Sequence, residues 1–347
     1  MRTDELDFDL PADLIAQSPL PDRGGSRLLH YRRVDQSIEH RRFVEFPSLL
    51  GPHDLLVCND TRVIAARFLL NKETGGAVEG LFVRERSLGR WEVMLRNLGP
   101  VRASATLRFV NATDVVARVL DSGGDGEYRL AVEPAEPAAK LLERIGRMPL
   151  PPYIKRDRRR DARDESDRER YQTVYAASPG SIAAPTAGLH FTPDILREID
   201  RRGITRVAVT LHVGLGTFKP ITTDLVEHHR MHEEQYEITP EAARALRAAK
   251  TRGSRIVAVG TTTARVLESQ SAGAHFESKA ASTSLLITPG FQWKHVGALL
   301  TNFHLPRSTL VALVAAMVGT EEQKRIYRTA IEQRYRFFSY GDAMLID

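Results

Sequence analysis

Four segments of this chain share one design: a short apolar strand that runs straight into a polar cluster. Asp54-Leu-Leu-Val-Cys58 leads into Asn59, Asp60, Thr61 and Arg62. Arg206-Val-Ala-Val-Thr-Leu-His212 leads into Val213-Gly214-Leu215-Gly216-Thr217. Arg255-Ile-Val-Ala-Val259 leads into Gly260-Thr261-Thr262-Thr263, and Ala298-Leu-Leu-Thr301 into Asn302-Phe303-His304. Ungapped apolar strands belong in a sheet covered on both faces. Ligands of open α/β sheets bind beyond the carboxyl ends of the strands. The four polar clusters are therefore expected on one edge of one mostly parallel sheet.

The helices between them are punctuated. Thr192-Pro193-Asp194 starts one, which ends at Gly203, and Thr239-Pro240-Glu241 starts another, which ends at Gly253. Thr309 to Val318 is apolar nearly all round and predicts a buried helix, and Glu321 to about Tyr335 predicts an amphipathic one. Residues 63–135 differ. Val78–Val83, Trp91–Leu95 and Val115–Leu120 are short strand patterns separated by turns such as Gly75-Gly76 and Gly123-Gly124-Asp125-Gly126. The expected fold is a layered α/β domain, mostly parallel, interrupted by an inserted small antiparallel β-barrel. Its parts are 1–62, an insertion at 63–150, and 151–347 with a charged linker at 155–170. That linker, with Arg158-Arg159-Arg160-Asp161, reads by default as a solvated, mobile loop. The alternative is a flap that contacts phosphates.

The 347 residues suffice for about two domains. A net charge of +5 favours an acidic partner such as nucleic acid without requiring one. The single cysteine, Cys58, excludes an intrachain disulfide and sits in an apolar run, as a buried structural thiol does. The N-terminal residues Met1–Leu10 are acidic, and the longest apolar run is too short to span a bilayer. These features predict a cytosolic protein that does not engage a membrane.

Gly214-Leu215-Gly216 lacks the third glycine of a dinucleotide fingerprint, and Lys219-Pro220 resists a helix there. It reads as a ligand loop or a plain turn. Gly260-Thr261-Thr262-Thr263-Ala264-Arg265 ends a strand and opens a helix, which suits an anion, with Arg265 as a carboxylate clamp. Ordinary capping explains one hydroxyl there better than three. His190, His212, His232 and His304 lie in polar segments and suit proton transfer. His228 and His232 have helical metal-pair spacing but no partner ligands, so no metal is expected. Glu234 and Tyr236 follow His232 closely, as a proton-moving or cation-holding group or as a surface loop. Asn302 to Thr309 is polar between apolar flanks and needs partners. Arg334, Arg336, Tyr340 and Asp342 form either a capping network or part of the same site.

In order along the chain stand Asp7-Phe-Asp-Leu-Pro11, Asn59-Asp-Thr-Arg-Val63, Met148-Pro-Leu-Pro-Pro-Tyr-Ile154 and Ala184-Pro-Thr-Ala-Gly-Leu-His-Phe-Thr192. They are followed by Thr210-Leu-His-Val-Gly-Leu-Gly-Thr-Phe218, Thr301-Asn-Phe-His-Leu-Pro306 and Arg336-Phe-Phe-Ser-Tyr-Gly-Asp342. With these blocks the chain resembles, from end to end, the S-adenosylmethionine:tRNA ribosyltransferase-isomerases of queuosine biosynthesis. It departs from the family pattern at Ala65, at Ser284 and at Asn97-Leu98-Gly99-Pro100. The resemblance implies an α/β domain with an inserted barrel. It implies that the ribosyl unit of S-adenosylmethionine moves to 7-aminomethyl-7-deazaguanine (preQ1) in the anticodon arm of tRNA and rearranges, releasing adenine and methionine. S-adenosylmethionine is then a consumed substrate rather than a cofactor, and a monomer is expected. On that chemistry Gly260–Thr262 and Arg265 would hold the methionine carboxylate, and Glu234 and Tyr236 the preQ1 ammonium. Asn59–Arg62, Gly214, Gly216, Thr217, Asn302, Tyr340 and Asp342 would line the substrate site. The rival readings are a catalytically silent tRNA-binding protein and a metal-dependent hydrolase built on His228 and His232.

Overall fold

The computed structural model describes residues 1–99, 105–157, 161–214 and 220–347. It forms two compact units, one of Met1–Arg62, Pro151–Lys155 and Gln172–Asp347, the other of Val63–Leu150 and Arg156–Tyr171. The first is built on a nine-stranded sheet. Its strands are β1 (Arg27–Arg32), β2 (Ser37–Arg42), β3 (Leu55–Asn59), β4 (Thr205–Leu211), β5 (Glu234–Ile238), β6 (Ile256–Val259), β7 (Lys279–Thr283), β8 (Ala298–Asn302) and β9 (Ala343–Ile346). The spatial order is β7-β5-β4-β3-β6-β8-β9-β1-β2. The four neighbours β4, β3, β6 and β8 run parallel. These are the four strands that end in polar clusters, so the clusters do share one edge. The flanks mix directions: β9 is antiparallel to β8 and parallel to β1, while β5 and β7 extend the other side antiparallel.

The apolar strands are ungapped because both faces are buried. Leu55 and Val57 enter one hydrophobic core, with Ile256, Ala258 and Leu299. Leu56 and Cys58 enter the other, with Val257, Val259 and Leu300. Each such side chain taken fully out of water contributes about 1.5–3 kcal/mol. Burial pushes the Cys58 thiol up to about 12, which leaves it inert, as its apolar flanks predict.

The helices follow their punctuation. In α1 (Pro193–Arg201) the Thr192 hydroxyl accepts from the Ile195 N–H, and in α2 (Pro240–Thr251) Thr239 caps Ala242 likewise. The helix α3 (Thr261–Glu268) starts without a side-chain cap, because Gly260 occupies the cap position at φ 90°. The buried α4 (Thr309–Val318) is capped by Ser308, and α5 (Thr320–Glu332) follows it.

The second unit is a closed barrel of six antiparallel strands: Arg67–Lys72, Ala77–Ser87, Arg90–Arg96, Thr106–Phe109, Ala112–Gly124 and Glu127–Glu133. Closure removes the exposed edges that short strands otherwise present. Trp91, Phe68 and Phe109 fill its interior, with ring centroids 5.4–5.9 Å apart. The charged segment groups with this barrel unit and is not a plain solvated loop. Arg156 makes a bidentate pair with Asp167 at 2.6 and 2.9 Å, and Asp164–Arg170 is helical. Both side chains of that pair are buried, so each charge is compensated where water cannot reach it. Of the Arg158-Arg159-Arg160-Asp161 run, Arg158 to Arg160 lie outside the described residues.

The turn before β9 packs backbone against backbone. A methyl at Gly341 would lie 2.4 Å from the Arg336 carbonyl oxygen, and that atom is backbone. Gly341→Ala is therefore expected to lower unfolding free energy by about 1–3 kcal/mol in a denaturant titration. An unchanged midpoint would show that the turn relaxes freely.

Candidate active site at the carboxyl edge of the sheet

Asn59, the last residue of β3, ties three elements together. Its Oδ1 accepts from the N–H groups of Thr61 at 3.1 Å and Leu211 at 3.0 Å. Its Nδ2 donates to the Leu211 carbonyl at 3.0 Å and to the Thr262 hydroxyl at 3.3 Å. The side chain is fully buried and every group on it is used, as a buried amide requires. Next to it the Thr61 hydroxyl meets His212 Nδ1 at 2.8 Å, and Thr210 donates to Asp60 at 2.6 Å. His212 is half-buried, and desolvation lowers its basicity below the ordinary histidine range. It is therefore neutral near pH 7, with one ring nitrogen committed to Thr61.

Glu234, at the start of β5, is buried against Arg265 of α3, with side-chain exposures of 3% and 4%. The carboxylate also accepts from the Gly214 N–H at 2.9 Å. Arg265 Nε donates to the Leu285 carbonyl at 3.0 Å. These two charges compensate each other, so neither is a bare charge offered to a ligand. At the α3 amino end the Thr263 hydroxyl bonds back to the Val259 carbonyl at 2.7 Å, and Thr262 receives the Asn59 amide. None of the three threonines caps the helix in the ordinary way, and all three are buried.

A second buried network surrounds Asn302 at the end of β8. Its Nδ2 donates to the Phe338 carbonyl at 3.1 Å and approaches the Asp342 carbonyl at 3.5 Å. Two carbonyls on one side fix which atom is nitrogen. The third neighbour, His190 Nε2 at 3.1 Å, must then accept, and His190 Nδ1 donates to the Ser26 hydroxyl at 2.8 Å. Burial holds His190 neutral, at about 3, with Arg23 and Arg336 adding to the shift. Asp342 accepts from the N–H groups of Arg27 at 2.9 Å and Arg336 at 2.8 Å, and so clamps the C-terminal turn to β1. His304 Nε2 bonds the Thr301 hydroxyl at 2.7 Å, and burial pushes it to about 3 as well. Asn302 and His304 line a small cleft that opens to solvent.

The sequence candidates thus form three groups. Asn59, Asp60, Thr61, Thr262 and His212 lie together, as do Glu234, Gly214 and Arg265, and as do His190, Asn302 and Asp342. Tyr340 is buried on the turn that carries Asp342. Tyr236 is buried, and its hydroxyl receives Gln270 Nε2 at 3.1 Å. Arg62 and His232 are exposed. Gly216 and Thr217 lie outside the described residues. Among the described residues no group of three His, Cys, Asp or Glu side chains is placed to hold a metal ion. Sequence reasoning missed Ser26, Arg27 and Thr210. Thr210 was signalled by its place near the end of a predicted strand; Ser26 and Arg27 had no signal, because β1 reads as an ordinary polar-flanked segment.

These features define an enzyme-like α/β unit with a ligand edge, carried in one chain with a closed barrel. Residues 3–346 match the queuosine biosynthesis protein family. The chain is 51% identical over its whole length to the S-adenosylmethionine:tRNA ribosyltransferase-isomerase of an Anaeromyxobacter species, covering 99% of that protein. It is 46% identical to the protein of the same name from Thermotoga petrophila, covering all of both chains. A crystal structure of an S-adenosylmethionine tRNA ribosyltransferase from Thermotoga maritima aligns over 99% of this chain and 100% of that one, with 35% identity and a TM-score of 0.55. The chain belongs to the queuosine biosynthesis protein family.

Two consequences can be measured. Glu234→Leu strands the Arg265 guanidinium in the interior and should cost about 3–5 kcal/mol of stability. The double variant with Arg265→Met should recover part of it, whereas additive losses would mean that the pair is not coupled. His190 and His304 are neutral when folded but titrate near 6.5 when unfolded, so the unfolded chain binds more protons below pH 6.5. Their contribution is whole above that pH and is lost as pH falls from about 6.5 towards 3. Thermal unfolding at pH 7.5 and pH 5 should show it, with a shallower pH dependence in His304→Asn.

Proposed function

We propose that this chain transfers the ribosyl unit of S-adenosylmethionine to preQ1 in tRNA and isomerises it to the epoxycyclopentanediol of epoxyqueuosine. Adenine and methionine are released. The observation that carries this reading is full-length identity of 46–51% to proteins that bear the name of this activity. The silent tRNA-binding reading accounts less well for the buried polar edge, because RNA binding alone needs no such enclosure. S-adenosylmethionine enters as a substrate and no cofactor is invoked.

The sulfonium acidifies the adjacent C5′ hydrogens, so a general base is required there. His212 suits that part best among the four histidines. Its Nδ1 is oriented by Thr61, it is neutral near pH 7, and it is half-buried at the edge rather than sealed. His190 has both nitrogens engaged inside the fold, which suits a positioning role, and His232 is exposed. The amino end of α3, with Gly260, Thr261 and Thr262, suits the methionine carboxylate, since no side chain caps its first N–H groups. Glu234 acts there by holding Arg265. The departing adenine needs a proton donor, and His304, held neutral by burial, does not suit that part.

The tRNA is engaged through its anticodon arm by a protein of net charge +5, acting as a monomer in the cytoplasm. No described helix is long and apolar enough to cross a membrane. Affinity for tRNA should fall linearly with salt on logarithmic axes, and a salt-insensitive affinity would contradict a phosphate-contacting surface.

The test is adenine release from S-adenosylmethionine mixed with tRNA that does or does not carry preQ1. Release only with preQ1-tRNA is expected; none in either case, with tRNA bound, would favour the silent binder. His212→Asn should lower kcat by about 10²–10⁴ while tRNA affinity is kept. The wild-type rate should fall on the acid side as His212 takes up a proton below its lowered pKa.

A further inference from the structure

The cleft beside Asn302 carries a more specific message. Asn302 is buried, and the two N–H groups of its amide are taken by the Phe338 carbonyl and His190 Nε2, with the Asp342 carbonyl at 3.5 Å, while its Oδ1 has no partner among the described residues. An orphaned buried carbonyl is costly unless something donates to it. Asn302 lines the cleft, so the missing donor is expected from a ligand there. The wall beside it is aromatic. Tyr153 and Phe338 both line the cleft, with ring centroids 4.5 Å apart. Phe338 holds φ 72°, an uncommon conformation for a bulky residue. Its N–H donates to the Phe303 carbonyl at 3.0 Å and its carbonyl takes the Asn302 amide, so the strain is fixed where the ring meets the cleft. Hydroxyls of Ser339, Thr186 and Ser308 complete the rim. No Asp, Glu, Lys or Arg lines it.

We propose that this cleft is the subsite for the adenine base of S-adenosylmethionine, with its exocyclic amine donating to Asn302 Oδ1 and its ring against Tyr153 and Phe338. This rests on the activity proposed above and adds which surface reads the leaving group. A flat heterocycle suits the aromatic wall. An amine donor suits an acceptor that has none. Neutrality decides between the two bases of the reaction: preQ1 carries an ammonium, which asks for a carboxylate, and adenine does not. The position is consistent as well. The ends of β8 and β4 are separated by two intervening strands, about 14 Å. A nucleoside seated at β8 and laid along the edge would carry its 5′ substituent towards His212.

The test uses the wild-type protein first. Adenine, unsubstituted purine and the free preQ1 base are titrated calorimetrically, and each is assayed as an inhibitor of preQ1-tRNA turnover. Adenine should bind about tenfold more tightly than purine, which lacks only the amine. Tyr153→Leu and, separately, Ser339→Ala should weaken adenine, Tyr153→Leu by about tenfold or more, while tRNA affinity holds. Equal affinity for adenine and purine would overturn the assignment, whatever the variants do. So would a Tyr153→Leu variant that loses affinity for the preQ1 base and keeps it for adenine, which would give the cleft to the RNA base. Failure of the parent reading is separate and visible in the same experiment, as absence of adenine release by wild type.

Discussion

The four hydrogen bonds of the Asn59 amide hold the edge of the sheet together. Strands β3 and β4 are paired by the backbone ladder as far as Asn59, with the Asp60 N–H still donating to the Val209 carbonyl. Asn59 continues the pairing with a side chain and fastens the amino end of α3 to both strands. Thr61, His212 and the first turn of α3 all owe their positions to it. An alanine here would leave two N–H groups and two acceptors to find new partners in a space without water.

Enclosure sets the chemistry of the rest of the site. Burial keeps His190 and His304 neutral, and Glu234 and Arg265 neutralise each other inside the fold. What remains at the edge is a set of directional, mostly neutral groups. Such groups suit a cationic sulfonium substrate, which they would hold by shape and hydrogen bonds, and their orientation is fixed by the fold. His212 differs because it is only half-buried. A proton can reach it and leave it, which a sealed histidine does not permit.

Much of this was legible in the sequence for a physical reason. A parallel strand buried on both faces is apolar along its length, so its end is marked where the apolar run gives way, as at Asn59, Gly260 and Thr301. Capping chemistry marked the helices equally well at Thr192 and Thr239. The barrel announced itself through closely spaced turns. The strands β1, β2, β5, β7 and β9 were not visible: β2, β5 and β7 are half-exposed and carry weaker patterns, and β1 and β9, though buried, do not run into a polar cluster of the kind that marks the central four. The pairing of Glu234 with Arg265 was also hidden. Sequence placed each as a separate ligand for substrate, and only the fold, which brings β5 beside β4 and packs α3 on β4, makes them partners. The charged segment 156–171 misled for the opposite reason: an Arg- and Asp-rich stretch looks solvated until its charges are found paired, as in Arg156 with Asp167.

The central claim is that S-adenosylmethionine reacts at the carboxyl edge of the nine-stranded sheet, under His212. A crystal structure of the protein with S-adenosylmethionine bound tests it most directly. The account predicts the C5′ carbon within about 3–3.5 Å of His212 Nε2, and the methionine carboxylate at the amino end of α3. A donor bound on the barrel, at the opposite edge of the sheet, or with C5′ turned away from His212 would contradict it.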